Sequence, residues 1–93
     1  MGKLFNWNDN KNAHLIKERS ISFEEVVFCI QNGGILDKVE HPNKEKYPNQ
    51  NIYVVLVNDY VYLVPYVEND DEIFLKTIIP SRKAKKQYLG GSE

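Results

Sequence analysis

The stretch NIYVVLVNDYVYLVPYV, residues 51 to 67, limits the fold more than any other part of this 93-residue chain. Its β-branched and aromatic residues suit a pleated, half-buried surface, and the Asn-Asp pair at its centre suits a tight turn, so two antiparallel strands are expected here. Pro65 has no amide to donate, which puts it at a bulge or facing an unpaired edge. Tyr60, Tyr62 and Tyr66 fall on one side of a regular strand. An exposed aromatic row could stack on nucleobases or receive a protein, whereas a buried one would be cross-strand packing, and exposure decides between them.

Caps and apolar spacing supply the elements on either side. Asn8 or Asp9 starts a helix running to about Arg19, with Leu15 and Ile16 as a narrow apolar stripe. In SISFEE, Ser22 stands three residues before Glu25, the spacing at which each side chain bonds the other's backbone amide, while Ile21 and Val26 form a hydrophobic staple. Phe23, Val26, Val27 and Ile30 then recur at i, i+3, i+4 and i+7, one helical face that ends near Asn32, where Gly33 and Gly34 release the chain. ILDKVE alternates as a half-buried strand should, and HPNKEKYPNQ is a turn-rich loop. EIFLKTII reads as one further strand; Pro80 and Ser81 stop it and cap a short helix through about Leu89, ahead of a flexible tail, residues 90 to 93. The expected architecture is α+β, a single domain over residues 1 to 89 with two N-terminal helices, a four-stranded, mainly antiparallel sheet and a short C-terminal helix.

Composition narrows the chemistry. A hydrophobic fraction of 42% and a charged fraction of 27% are those of an ordinary folded domain. No apolar run nears the roughly 20 residues needed to cross a bilayer, and Met1-Gly2-Lys3 opens no signal-like stretch, so a cytoplasmic protein with no membrane partner is expected. The single cysteine, Cys29, has no internal disulfide partner and is expected to be a buried, inert thiol. The sequence holds no zinc-site spacing, Gly-rich phosphate loop, HExxH, EF-hand loop or nucleophile elbow, so neither metal nor cofactor is expected. A net charge of -1 and a pI near 6.1 argue against indiscriminate nucleic-acid binding.

Against that acidic balance, KTIIPSRKAKKQYLG, residues 76 to 90, carries Lys76, Arg82, Lys83, Lys85 and Lys86 with no carboxylate among them. The cations either solvate a terminal helix or hold an anion. In the second case Ser81 to Lys83 add helix N-terminal amides to the Arg82 guanidinium, a combination suited to a phosphodiester. Cleaving RNA without a metal needs a base for the 2′-hydroxyl, charge at the phosphorane and a proton for the leaving oxygen. Arg82 fits the second role. His14 and His41 are the histidines able to serve as acid or base near neutrality; Lys76 could do so if the sheet desolvates it, and Tyr88 could donate a proton or stack on a base. Lys83, Lys85 and Lys86 are the candidate RNA-binding cations.

Two segments resemble a known family. FNWNDNKNAHLIKERSISFEEV is similar to the opening of BrnT toxins, with its (V/I)-S-F-E-E-A helix entry, and IIPSRKAKKQY is similar to their closing R-I-I-S-A-R-x-A segment. Lys11, Phe23, Glu24, Glu25, Ile78, Ile79, Arg82 and Ala84 stand where the pattern expects them. The pattern's Lys-His-Gly reads Glu18-Arg19-Ser20 here, and its strand arginine reads Thr77 beside Lys76. The resemblance implies a RelE-like fold and a metal-independent ribonuclease that inhibits translation as the toxin of a toxin–antitoxin pair. It further implies RNA as substrate, a ribbon-helix-helix antitoxin as partner and the ribosome as a possible place of action. A protein-binding module on the same fold, without catalysis, is the alternative.

Overall fold

The computed structural model describes residues 3 to 90. Its elements in order are β1 (Leu4–Asn6), α1 (Asp9–Arg19), α2 (Phe23–Gln31), β2 (Ile35–Glu40), β3 (Gln50–Val57), β4 (Tyr60–Glu68), β5 (Glu72–Leu75), β6 (Ile79–Pro80) and α3 (Arg82–Leu89). The fold is α+β, three helices flanking one mixed sheet. That sheet has six strands, not the four expected, in the order β1-β5-β4-β3-β2 with β6 also paired to β4. It is mixed because β1 runs parallel to β5, whereas the remaining pairs are antiparallel. The two unforeseen strands are β1, three residues long, and β6, two. Of the expected tail, residues 91 to 93 lie outside the described residues, and Gly90 caps α3 in the left-handed region.

The hairpin forms as its composition requires. Asn58 and Asp59 both adopt positive φ, 51° and 66°, the two-residue turn whose twist matches that of the strands it joins. Regular pairing from Val57 and Tyr60 to Gln50 and Val67 then sends alternate side chains to opposite faces. Tyr53, Val55, Val57, Val64 and Tyr66 join Leu15 of α1 and Phe23 and Val26 of α2 in the main core. On the other face, Val54 and Val61 pack with Ala84 of α3, supported by Leu36, Leu56, Leu63 and Tyr88. Tyr66 is only 2% exposed and stacks on Tyr53 with ring centroids 4.0 Å apart. Tyr60 and Tyr62, half-buried, meet edge to face. The tyrosine row is therefore packing, not a free stacking surface.

Pro65 explains why EIFLKTII is two strands. Lys76 donates its amide to the Pro65 carbonyl at 2.8 Å, but proline has no N–H to return the second bond of that pair. The ladder loosens there. Tyr66 pairs with Leu75 and Leu63 with Ile79, so two residues of β4 face three on the other strand. The extra residue interrupts pairing over segment 76 to 78, with Ile78 buried in the main core, before β6 re-pairs.

Local capping fixes the helices. Asn8 accepts from the Lys11 amide at 3.0 Å, and Ser22 and Glu25 form the reciprocal capping box in full. Asn12, 8% exposed, joins the two helices: its Oδ1 accepts from the Phe23 amide at 2.8 Å and its Nδ2 donates to Glu24 Oε1 at 2.8 Å. One of the unpaired amides at the start of α2 is thereby satisfied from α1. Gly34 has no room for a side chain, because a Cβ there would lie 2.8 Å from the Cys29 carbonyl oxygen. Among the described residues no helix is long and apolar enough to cross a membrane.

Candidate functional site

A groove of about 270 Å³ opens where α1 passes the segment between β5 and β6. Lys11, His14, Leu15, Glu18 and Arg19 form one wall, and Thr77 and Ile79 the other. Helical spacing accounts for the first wall, because residues 11, 14, 15, 18 and 19 recur at three and four positions along one side of α1. The bulge opposite Pro65 accounts for the second. Arg19 Nη1 donates to the Ile78 carbonyl at 2.9 Å and pins the walls together. The groove thus holds an imidazole, an ammonium and a guanidinium beside one carboxylate.

The expected site residues separate into three places. His14 lies in the groove, and the segment starting at Lys76 forms its far wall. Lys76 itself turns away: its ammonium sits 5.5 Å from the Phe74 ring centroid, and Phe74 pairs with Val67 on the side of the sheet that α3 covers. Lys76 is exposed, so the desolvation needed for it to act as a base is not met. Arg82, Lys83 and Lys86 are exposed on α3, and among the described residues none has an ion-pair partner. Lys85 lies 5.0 Å from the centroid of Tyr60. Lys76 and the body of α3 therefore lie on one side of the sheet and His14 on the other, with Lys85 reaching round to Tyr60 at the end of the hairpin.

His41 is far from the groove. It follows β2, the edge strand three positions from β5 across the sheet, about 14 Å at the usual strand spacing. Its Nδ1 accepts from the Asn43 amide at 3.0 Å and its ring lies 4.5 Å from that of Tyr47, so it shapes the β2–β3 loop.

Tyr88 is also committed elsewhere. Its hydroxyl donates to Asp37 Oδ2 at 2.8 Å, clasping the end of α3 to β2, and this bond, followed by burial and the Asp37 charge, raises its pKa. A phenol held to its proton in this way is a weak acid. Cys29 is half-buried against the core and not fully buried as expected; burial and the Glu25 carboxylate push its thiol pKa up, which disfavours the thiolate.

Reasoning from sequence took Arg19 only as a departure from a family pattern and Lys11 only as a match to it. The signal for Lys11 was its three-residue spacing from His14, and for Arg19 its four-residue spacing from Leu15 on the same helix. A larger hollow of about 580 Å³ lies at the other end of the sheet, but its lysines are already engaged: Lys3 with Glu68 at 2.7 Å and Lys44 with Glu40 at 3.2 Å. Its remaining groups include Asp70 and three asparagines, a poor lining for an anion. Among the described residues no group of three or more His, Cys, Asp or Glu side chains is arranged to hold a metal ion. Comparison with protein-family models, with curated proteins and with solved structures returns no match to this chain.

Proposed function

We propose that the chain is a small endoribonuclease of the BrnT and RelE-like toxin type, working without a metal from the groove between α1 and the β5–β6 segment. The observation that carries this reading is the meeting of His14 with Lys11 and Arg19 against Thr77 and Ile79. His14 accepts the proton of a 2′-hydroxyl as that oxygen bonds to phosphorus. The bond to the 5′ oxygen breaks, water supplies the proton it takes up, and a 2′,3′-cyclic phosphate and a 5′-hydroxyl result. Lys11 and the free edge of the Arg19 guanidinium stabilise the charge that develops on phosphorus-bound oxygen. Arg82, Lys83 and Lys86, around the sheet edge on α3, hold the RNA strand on either side of the cut.

Ser20 supports the alignment on which the family resemblance rests. It closes α1 at φ 57°, the left-handed region that favours glycine, and the BrnT pattern has glycine at this position. In this reading a ribbon-helix-helix antitoxin covers the groove and contributes the DNA binding that a net charge of -1 does not support.

Incubation of the purified chain with messenger RNA, free and on ribosomes, tests the proposal. Cleavage that falls by about 10²- to 10⁴-fold in His14→Ala, with circular dichroism unchanged, is the expected result. A second reading, a protein-binding module without catalysis, draws on the separation of Lys76 and the α3 cations from His14 by the sheet. Intact RNA with the wild-type chain, or cleavage indifferent to His14→Ala, decides for that module or for a different active centre respectively.

A further inference from the structure

Helix α2 turns its apolar residues inward with one exception. Phe23 and Val26 are buried and Val27 and Ile30 pack beside them, yet Phe28 on the outer side is 66% exposed. A single exposed aromatic is commonplace, but this one lies in a cleft. With Cys29 and Val57 it forms the apolar part of a hollow of about 350 Å³, and Glu24, Glu25 and Asn58 form the rim. Asp59, exposed in the hairpin turn, follows Asn58. Among the described residues no lysine or arginine lines this cleft, in contrast to the groove on α1 and the hollow beyond β2.

The carboxylates are held in place. Glu24 accepts from Asn12 Nδ2 at 2.8 Å, and Glu25 accepts from the Ser22 amide at 3.1 Å as part of the capping box. Each keeps oxygen lone pairs for an incoming cation. An apolar floor with a fixed acidic rim selects one kind of occupant. A neutral apolar segment would leave the carboxylates partly desolvated and unpaired, and an acidic one would be repelled.

We propose that this cleft docks a partner protein through an aliphatic side chain flanked by lysine or arginine on a helical segment. The anchor covers the Phe28 ring and the cations meet Glu24 and Glu25. Being built on α2 and the β3–β4 turn, the surface is separate from the groove of α1 and stands whether or not the chain cleaves RNA.

Fluorescence anisotropy with a labelled synthetic helical peptide, leucines at i and i+4 flanked by lysines, tests this, with the Lys→Glu version of the same peptide as comparison. The lysine peptide should bind saturably and more weakly as salt rises. Phe28→Ser should weaken it by roughly tenfold or more, as loss of a central anchor does. Glu24→Gln with Glu25→Gln keeps both hydrogen bonds, so the helix start survives, and should weaken binding through charge alone. Equal binding of the glutamate peptide, indifference to Phe28→Ser, or no binding of the lysine peptide overturns the proposal. Self-association in sedimentation that Phe28→Ser abolishes also overturns it, since the occupant would then be a second copy of the chain.

Discussion

Arg19 Nη1 reaches the carbonyl oxygen of Ile78 at 2.9 Å, a bond between residues 59 positions apart in the chain. It closes the end of the sheet where the ladder on β4 has been interrupted, and it holds α1 at a set distance from the β5–β6 segment. Removing the guanidinium should do two things. Arg19→Ala should lower stability by about 1 kcal/mol in urea denaturation, the lower end for a charged donor because the side chain is exposed. Amide exchange at Ile79 should also quicken, since the segment loses its tether to α1.

Asn12 should prove more costly to replace. Its Oδ1 is the acceptor for the Phe23 amide, and Phe23 is fully buried. Asn12→Ala leaves that donor without a partner and should destabilise the fold by about 1–3 kcal/mol. Asn12→Asp retains the acceptor but places a second carboxylate against Glu24, so it should rescue stability at low pH and not at neutral pH. Thermal melts across pH for the two variants distinguish these outcomes.

Ser20 offers a gain in stability. Its φ of 57° is a conformation that costs a residue with a Cβ about 1–2 kcal/mol and glycine far less. Ser20→Gly should therefore raise stability by several tenths to about 1 kcal/mol, after the greater entropy of the unfolded glycine chain is subtracted. A chemical denaturation midpoint that does not rise would mean that the serine side chain stabilises the turn in some other way.

Alkaline pH should unfold the protein through its tyrosines. Tyr53, Tyr62, Tyr66 and Tyr88 all have raised pKa values, the first three chiefly through burial and Tyr88 through its bond to Asp37. Between the ordinary tyrosine range, about 10, and these higher values, the folded chain binds more protons than the unfolded one. Their contribution is thus fully present below about pH 10 and declines as pH rises further. Phenolate absorbance should show these tyrosines ionising together with the loss of circular dichroism. Tyr88→Phe should lower the melting temperature at neutral pH, as Asp37 loses its donor, and should reduce the steepness of the alkaline decline.

Much of the fold could be read residue by residue because its signals are local. Ser22 with Glu25, Asn8 with Lys11, and the Asn58-Asp59 turn each act within a few positions, so the residues that specify them are neighbours in the sequence. The short strands were different. Leu4 to Asn6 and Ile79 with Pro80 are strands only because Glu72 to Phe74 and Tyr62 with Leu63 lie beside them, and Pro80 on its own signals an end to pairing. Pro65 did announce a disturbance, but its effect appears on Lys76 and Thr77 of a neighbouring strand.

The candidate site divides in the same way. Sequence alone determined that residues 82 to 86 put four cations on one short helix and which residues of the β3–β4 hairpin share a face, since residue chemistry and backbone period need no partner. Only the tertiary structure decided that His14 shares a groove with Thr77 and Ile79, that Lys76 and α3 lie across the sheet from it, and that Tyr88 is held by Asp37. Those relationships depend on which face each helix packs against and on how the ladder re-registers after Pro65, and such choices are settled by burial summed over the whole chain.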